Sequence, residues 1–253
     1  MPITANSLFR DSLNFIRYQL SSFIMLALLA SFIFYLLIQA TAPDVTQLHQ
    51  LIIQSVGSAQ LSAEELQTSL KSLSLEQQQE IVRMAVPLFG SIALSVFLSD
   101  LILVAGVITL TIQVSQGMRT SALRAIGSSA TSLPTLMILT AAAYLLILFG
   151  MSIYLLPGIF FAFVLVLSPI VLLESKKGLI YAITTSWTLA FAHVRLVLPM
   201  LLFTLSAKFI LFAFTVNASS VSPTLAVLLM TAISNMLTAF MFVYLFRLYM
   251  QNR

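Results

Sequence analysis

Six apolar runs, each close to the length of a membrane-spanning helix, constrain this sequence more than any other feature. A helix of about 20 apolar residues crosses a hydrocarbon core roughly 30 Å thick. Only 8% of the 253 residues are charged, whereas a soluble domain carries about 25%. Because so few charges do not cover a water-facing surface, we expect an all-α membrane protein whose residues 1–253 form one integral membrane domain. The six predicted transmembrane helices are Ser21–Gln39, Pro87–Gln113, Pro134–Leu155, Gly158–Leu173, Val197–Val216 and Leu225–Phe246.

The first apolar run also has features of a cleaved signal peptide. Arg10 and Arg17 precede it, and the small residues Ala40–Ala42 resemble a cleavage site. However, its apolar part is longer than the core of a typical signal peptide, which has about 7–15 residues, and Pro43 follows the small residues. We therefore expect the run to be retained as the first span.

Basic residues are distributed unequally between the connections that join the spans. Nine fall on one side, whereas the other side has Lys71 and Arg83 alone. Since connections rich in lysine and arginine stay in the cytoplasm, both termini are predicted to be cytoplasmic and residues 42–86 periplasmic. The nine residues are Arg10, Arg17, Arg119, Arg124, Lys176, Lys177, Arg195, Arg247 and Arg253.

The long periplasmic loop, residues 42–86, is predicted to be helical. Val45, Leu48 and Leu51 recur at helical spacing. Ser62–Glu65 and Ser74–Gln77 each resemble a helix start, and the second favours a helix that continues into span two. Two interpretations remain open: a helical cap on the membrane surface, or a docking site for an envelope protein.

A stretch that contains the only tryptophan of the chain is predicted to lie on the cytoplasmic membrane surface. Its apolar residues form one helical stripe, and it is flanked by Lys176, Lys177 and Arg195. Basic flanks and a ring such as that of Trp187 are typical of a helix in the headgroup plane. We interpret these four residues as interfacial anchors of a helix over Tyr181–His193. The stripe consists of Ile180, Ile183, Trp187, Phe191 and Val194.

Similar basic segments precede spans one and three. One has Phe9, Leu13, Ile16 and Leu20 on a stripe, and the other places Met118, Ala122 and Ile126 beside arginines. The chain is therefore predicted to contain three repeats of one unit, an interfacial helix followed by a transmembrane hairpin. Alternation of basic loops in any six-span protein is the competing explanation.

Asp100 and Lys208 are ionisable residues inside predicted spans two and five. Both are expected at a depth of roughly 16–20 Å, and Asn235 of span six reaches a similar level. We treat these three as a candidate intramembrane polar cluster, since a charge in a span is costly and often functional. Three arrangements are open. Asp100 and Lys208 could form a structural ion pair, or both could line a polar site for a substrate. In the third arrangement they remain apart, because the lysine side chain extends to the membrane surface.

Small residues recur in span two at Ser91, Ser95 and Ser99. This spacing favours close packing of helices in lipid, and a polar pathway is the alternative.

Patterns typical of common catalytic and metal sites are absent from the sequence. It contains no cysteine, and its two histidines, His49 and His193, lie in different loops. It also has no phosphate-binding glycine loop, nucleophile elbow or HExxH pattern. We therefore expect no catalytic, cofactor-binding or metal site and no enzymatic activity. The scattered basic residues give no nucleic-acid-binding surface, so the lipid bilayer is the expected partner.

Several stretches resemble the YciC family of uncharacterised inner-membrane proteins of Gram-negative enteric bacteria, along the whole chain. The resemblance implies a multi-pass protein of the bacterial inner membrane, and it supplies no activity or catalytic residues. The stretches are "MPITANSLFRDSLNFIR", "SLEQQQE", "SALRAIGSSA" with the proline of "SLPTL", "LPGI", "VRLVLP" and "YLFRLYM".

Two functional classes are compatible with the sequence. The first is a non-enzymatic component that supports envelope lipid or protein homeostasis through envelope protein partners or as a homo-oligomer. The second is a transporter or flippase for a small or lipidic substrate, with its polar centre at Asp100 and Lys208. A transporter requires a wet pathway between the spans, whereas a scaffold is packed shut.

Overall fold

The computed structural model describes residues 4–44, 46, 50, 73–217 and 223–252, and within them the secondary structure is helical, without β-strands. The all-α prediction is thus confirmed. The helices are α1 (Ala5–Tyr18), α2 (Leu20–Thr41), α3 (Leu75–Ser115), α4 (Ala122–Ser129), α5 (Leu133–Ile153), α6 (Leu155–Leu165), α7 (Ser168–Ser175), α8 (Leu179–Ala192), α9 (Val194–Asn217) and α10 (Pro223–Gln251), with a short 3-10 turn at Ala130–Ser132.

Six helical segments are long and apolar enough to cross a membrane, which confirms the predicted number of spans. All six begin before the predicted spans, whereas the third and fifth end two residues earlier than predicted, at Ile153 and Phe214. The segments are Leu20–Thr41, Leu75–Ser115, Ala122–Ile153, Leu155–Ser175, Val194–Phe214 and Thr224–Gln251.

The chain divides into two compact units, which are Met1–Phe32 with Ser99–Arg253, and Ile33–Leu98. The larger unit contains the extended apolar core, in which Phe23, Leu103 and Phe246 are among the large side chains withdrawn from the surface. Within the smaller unit, the hydroxyls of Thr41 and Ser91 lie 2.6 Å apart and join the end of α2 to α3.

Helix α3 begins well before the apolar run and continues through it without interruption. Ser74 and Gln77 form the predicted helix start. The backbone N–H of Gln77 donates to the Ser74 hydroxyl at 3.3 Å, and the backbone N–H of Ser74 donates to Gln77 Oε1 at 3.2 Å. This reciprocal capping satisfies amides that have no partner inside the helix. The helices predicted around Val45–Leu51 and Ser62–Glu65 fall outside the described residues.

The fourth span is a broken helix, α6 followed by α7. Pro169 lies in the first turn of α7 and has no amide hydrogen, so the Leu165 carbonyl lacks its helical donor. The Ser168 hydroxyl donates to that carbonyl at 2.5 Å, and Ser186 of α8 donates to the Val164 carbonyl at 2.6 Å. Because unsatisfied backbone groups are costly in lipid, these buried serines explain how a span tolerates the break.

Helices α5 and α6 form a tight hairpin around two glycines. The connection is a single extended residue, Tyr154, which precedes the gap between Leu155 and Gly158 that separates the predicted spans three and four. A Cβ placed on Gly150 would lie 2.8 Å from the Gly158 nitrogen, and one on Gly158 would overlap the Met151 side chain. Glycine is therefore required on both helices for this backbone approach.

Helix α8 covers the predicted surface segment, with bounds close to those expected. Its buried face is small and consists of Ala182, Ser186 and Ala190. The apolar stripe lies on the more accessible side, where Trp187 is 44% exposed. The small residues allow α8 to approach the broken span, and the large apolar side chains remain available to lipid.

Helix α1 packs against α10 on one side and leaves most of its predicted apolar stripe accessible. The buried residues are Leu8, Ser12, Phe15 and Ile16, whereas Phe9 and Leu13 of the predicted stripe are partly exposed. Ile16 of the stripe is buried, and the Phe9 ring meets that of Phe240 on α10 with centroids 5.0 Å apart, so the stripe borders the packed face.

Candidate functional site

Asp100 lies on α3, half-buried, and is bound by a residue that the sequence analysis did not identify. The hydroxyl of Tyr144 donates a hydrogen bond to Asp100 Oδ2 at 2.6 Å. Tyr144 occupies the middle of α5, where its polar group is remote from both ends of the span. A hydrogen bond to an ionised carboxylate is stronger than one between neutral groups, so the tyrosine satisfies part of the bonding capacity of the buried acid.

Of the three arrangements considered for Asp100 and Lys208, the ion pair between them is not found among the described residues. Within the described part of the chain the ion pair joins Arg247 and Asp11, and no pair joins Lys208 to Asp100. Lys208 is half-buried on α9. The pairing prediction considered depth alone, but two charges meet only if the helices also rotate both side chains towards one another. Here Tyr144, rather than a cation, meets the carboxylate.

Asn235 connects α10 to α2 and has no hydrogen bond to Asp100 or Lys208. Its side-chain amide donates to the Ala27 carbonyl at 3.2 Å and to the Ser31 hydroxyl at 3.0 Å. The Ser31 hydroxyl in turn donates to the Ala27 carbonyl at 2.8 Å. All three residues are buried. The arrangement is a closed polar clamp between two spans, and its hydrogen-bonding groups are directed at each other.

The serine stripe of α3 faces the interior, as expected for either packing or a pathway. Ser91, Ser95 and Ser99 are each at most 5% exposed. The Ser91 hydroxyl is paired with Thr41, whereas the Ser95 hydroxyl has no hydrogen-bond partner within the described residues. Burial of all three residues fits close helix packing.

The predicted anchors surround α8 at the positions expected for a surface helix. Lys176 and Lys177 are exposed in the connection before it, and Arg195 is exposed just after it. The Lys177 ammonium lies 4.7 Å from the centre of the Tyr181 ring. A cation held over an aromatic face is stabilised by the ring quadrupole.

Trp187 belongs to an aromatic cluster that joins α8 to α6. Its ring meets that of Phe160 nearly edge to face, with centroids 5.7 Å apart, and Phe191 lies 5.8 Å away. Phe163 contacts Phe191 from the buried side at 5.5 Å. The cluster fixes Trp187 on the accessible surface of α8, where its amphipathic ring suits a membrane interface.

A second polar region lies where α1, α7 and α10 meet. The Arg247 guanidinium approaches the Asp11 carboxylate at 3.4 Å and lies 4.7 Å from the centre of the Phe15 ring. The Tyr249 hydroxyl donates to Glu174 of α7 at 3.1 Å. In these contacts, the charged groups of Asp11, Glu174 and Arg247 each bind a group on another helix.

The sequence contained a signal for Tyr144 that the depth argument did not use. Tyrosine usually concentrates at membrane interfaces, and its buried hydroxyl normally has a partner. A tyrosine at the centre of a span is therefore a candidate neighbour for any acid at the same depth, such as Asp100. No comparable pattern indicated that Asn235 would bind Ser31. Serines are common in these spans, so the sequence did not distinguish Ser31 from the others.

The side chains of the described residues form no cluster of three or more potential metal ligands. The described carboxylates of the polar regions are each engaged by a different neighbour: Asp11 by Arg247, Asp100 by Tyr144 and Glu174 by Tyr249. Such isolated pairs suit the fixing of helices.

Comparison with known proteins identifies a family along the full chain. The model of the uncharacterised protein family UPF0259 matches residues 1–251. A UPF0259 membrane protein of Serratia proteamaculans (strain 568) is 40% identical over 253 residues, which cover 100% of both chains. Another, of Yersinia pestis (strain Pestoides F), is 39% identical over 257 aligned positions that cover 100% of this chain and 97% of the relative.

No solved structure matches the chain. The expected resemblance to an uncharacterised family of membrane proteins from enteric Gram-negative bacteria is confirmed by these full-length relatives. Together with the six apolar helices, they show that the chain is a multi-pass membrane protein that belongs to the UPF0259 family.

Proposed function

We propose that this protein is a non-enzymatic component of the bacterial inner membrane that supports envelope lipid or protein homeostasis through contacts with lipids and with other membrane proteins. The observation that carries the proposal is the use of polar groups inside the spans. Asn235 binds Ser31 and Ala27, Ser186 binds the Val164 carbonyl, and Asp100 binds Tyr144. Polar groups that satisfy one another hold helices together and do not offer a common site to a substrate.

An orientation with both termini in the cytoplasm is supported by two independent features. Nine basic residues fall in the connections assigned to that side. In addition, α1 packs against the C-terminal part of α10 through Phe15 and Arg247, so the two ends of the chain are placed together. The inner membrane is the compartment in which Gram-negative bacteria accommodate multi-span helical proteins, and residues 42–86 are proposed to be periplasmic.

The absence of enzymatic activity is proposed from the separation of the ionisable groups. General acid and base catalysis needs groups with matched pKa values within hydrogen-bond reach of a reacting atom. Asp11, Asp100 and Glu174 contact arginine or tyrosine in separate places, and cysteine is absent from the sequence. This distribution favours structural roles for them and gives no reason to invoke a cofactor.

Partners are proposed to be lipids and either envelope proteins or further copies of the chain, with no role for nucleic acid. The accessible surface of the spans is apolar, with Leu145, Phe149 and Phe209 each more than 60% exposed. Helices α1 and α8 precede the first and fifth spanning segments, and α4 forms the N-terminal part of the third, Ala122–Ile153. We propose that they are corresponding parts of three repeats within a single integral domain and that they rest on the cytoplasmic headgroups.

A transporter or flippase is the second candidate, and one observation favours it. Asp100 and Lys208 are half-buried within spans and are not neutralised by each other. Unpaired ionisable residues inside a membrane protein are typical of substrate and proton pathways. In this alternative, Asp100, Tyr144 and Lys208 contact the moving substrate in one state of the transport cycle.

Deletion of the gene, followed by profiling of envelope lipids and membrane proteins, tests the main proposal. We expect altered envelope composition that is restored by the wild-type chain and equally by an Asp100→Asn/Lys208→Met variant. If that double variant folds and reaches the membrane but does not restore the composition, the charges belong to a working site and the transporter alternative replaces the scaffold. An unchanged envelope in the deletion strain would contradict both.

A further inference from the structure

A small polar cleft lies at the end of α1. It has a volume of about 330 Å³ and is lined by Asn14, Arg17 and Tyr18. These residues are spaced by three and four positions, so they share one face of the helix. Their side chains are exposed, and together they offer an amide, a guanidinium and a phenol hydroxyl as hydrogen-bond donors. Arg17 is the one charged residue among the described residues that line the cleft.

An apolar groove of about 520 Å³ follows along the first turns of α2. The lining contributes almost entirely apolar surface, and most of the side chains are exposed. Its length along the helix is that of several turns, which matches part of an extended acyl chain. The lining residues are Ser21, Ile24, Met25, Leu28, Leu29 and Phe32.

The cleft is lined by residues at the end of α1 and the groove by residues of the first turns of α2. Gln19 is the single residue that separates the two helices. Tyr18 borders the cleft and Ser21 borders the groove, three positions apart in sequence. The polar cleft therefore lies at the end of span one from which the lining of the apolar groove also begins.

We propose that this corner binds one anionic phospholipid, with the phosphate at Arg17 and one acyl chain along the α2 groove. Guanidinium groups bind phosphate through paired charge-assisted hydrogen bonds, and Asn14 and Tyr18 supply further donors. Arg17 is available for this role because it forms no ion pair within the described residues, whereas Arg247 is held by Asp11. The site depends on α2 being a span and holds whichever side of the membrane α1 occupies.

An anionic lipid fits this corner better than a zwitterionic one. A basic residue at a membrane surface contributes about 1 kcal/mol of attraction to anionic lipid, which corresponds to roughly a fivefold preference. A phosphatidylcholine headgroup carries a quaternary ammonium cation. That cation would lie near the positive charge of Arg17, and no carboxylate among the described residues lines the cleft to bind it. A free phosphate would use the cleft but leave the groove unfilled, so it should bind much more weakly.

Photo-crosslinking of the full-length protein in vesicles tests the proposal. The vesicles contain equal amounts of phosphatidylglycerol and phosphatidylcholine with identical chains, and a photoreactive amino acid replaces Leu28 in the groove or, as a control, Leu145 on the surface of α5. Mass spectrometry then gives the headgroup of each captured lipid. We expect phosphatidylglycerol to be enriched about fivefold at position 28 and to match its bulk fraction at position 145.

Charge variants then identify the cation responsible. Arg17→Gln should reduce the enrichment at position 28 to the bulk value, Arg17→Lys should retain part of it, and Arg10→Gln, on the same helix but outside the cleft, should not change it. Excess inorganic phosphate should not compete. Equal enrichment at positions 28 and 145, or equal losses for Arg17→Gln and Arg10→Gln, would overturn the site in favour of general surface attraction. If Arg17→Gln does not fold, the comparison of positions 28 and 145 and the Arg17→Lys variant still decide.

Discussion

The guanidinium of Arg247 lies 4.7 Å from the centre of the Phe15 ring, and its Nε approaches the Asp11 carboxylate at 3.4 Å. One residue of the last helix thus contacts the first helix through both its charge and its flat face. The contact to Asp11 is an ion pair without a hydrogen bond at Nε. It fixes the N-terminal helix to the C-terminal part of the chain, which requires both to lie at the same membrane surface.

The first prediction concerns this contact. Arg247→Ala should lower the free energy of unfolding by about 1–2 kcal/mol, since it removes a cation–π contact and an ion pair that are both partly exposed. Arg247→Lys should cost less because the charge remains. Thermal unfolding in detergent measures the effect, and Arg10→Ala on the exposed side of α1 is the control. Equal stability of the Arg247→Ala variant and the control would refute the contact.

The second prediction concerns Asn235. Its replacement by alanine removes two hydrogen bonds to α2, and polar contacts between membrane helices are each worth about 0.6 kcal/mol, with a maximum of roughly 1.7. We therefore expect Asn235→Ala to destabilise the protein by about 1 kcal/mol or more. Thr231→Val is a matched control, because the Thr231 hydroxyl bonds within its own helix. If both variants unfold alike, Asn235 does not join the two helices.

The third prediction separates the two partners considered for Asp100. Tyr144→Phe should cost about 1–2 kcal/mol because a carboxylate loses its donor. In a double-mutant cycle, Asp100→Asn and Tyr144→Phe should be coupled, while Asp100→Asn and Lys208→Met should be additive within about 0.5 kcal/mol. Steric trapping or denaturant unfolding in detergent supplies the four stabilities of each cycle. Coupling to Lys208 in place of Tyr144 would restore the ion pair that the sequence suggested.

The fourth prediction tests the α5–α6 hairpin. Gly150→Ala places a methyl group against the backbone of Gly158, which has no flexible atoms to move, and we expect a loss of about 1–3 kcal/mol as for overpacking elsewhere. Gly90→Ala serves as the control because nothing lies within 4 Å of its added Cβ. There the change should be neutral or stabilising, since alanine favours helix. A tolerated Gly150→Ala would mean that the helices are further apart.

The sequence indicated the spans well because membrane insertion depends on hydrophobic length, which each segment carries by itself. It also indicated how deep Asp100 and Lys208 lie in the membrane, because depth follows from the position of a residue along its own span. It did not indicate partners, because contact also depends on how each helix is rotated about its axis, and that rotation is determined by packing against other helices. Tyr144 meets Asp100, and Asn235 meets Ser31, through such rotations.

The apolar stripe of α1 illustrates the same limit. Phe9 and Leu13 of the stripe are partly exposed, Ile16 is buried, and the Phe9 ring also contacts Phe240 of α10. A helix that contacts both lipid and protein has apolar residues on both of these sides. The periodicity of its sequence does not show which apolar residues face lipid and which face protein.

The proposed scaffold role requires that the spans are packed shut around Asp100 and do not enclose a water-filled pathway. Because the chain contains no cysteine, single substitutions introduce one thiol each, and their reaction with a membrane-impermeant maleimide in intact and opened vesicles reports access to water. Ser99→Cys and Ser31→Cys should remain unlabelled over times that label the exposed Ser121→Cys completely. Labelling of Ser99→Cys at a rate comparable with Ser121→Cys would reveal a wet centre beside Asp100 and contradict the scaffold account.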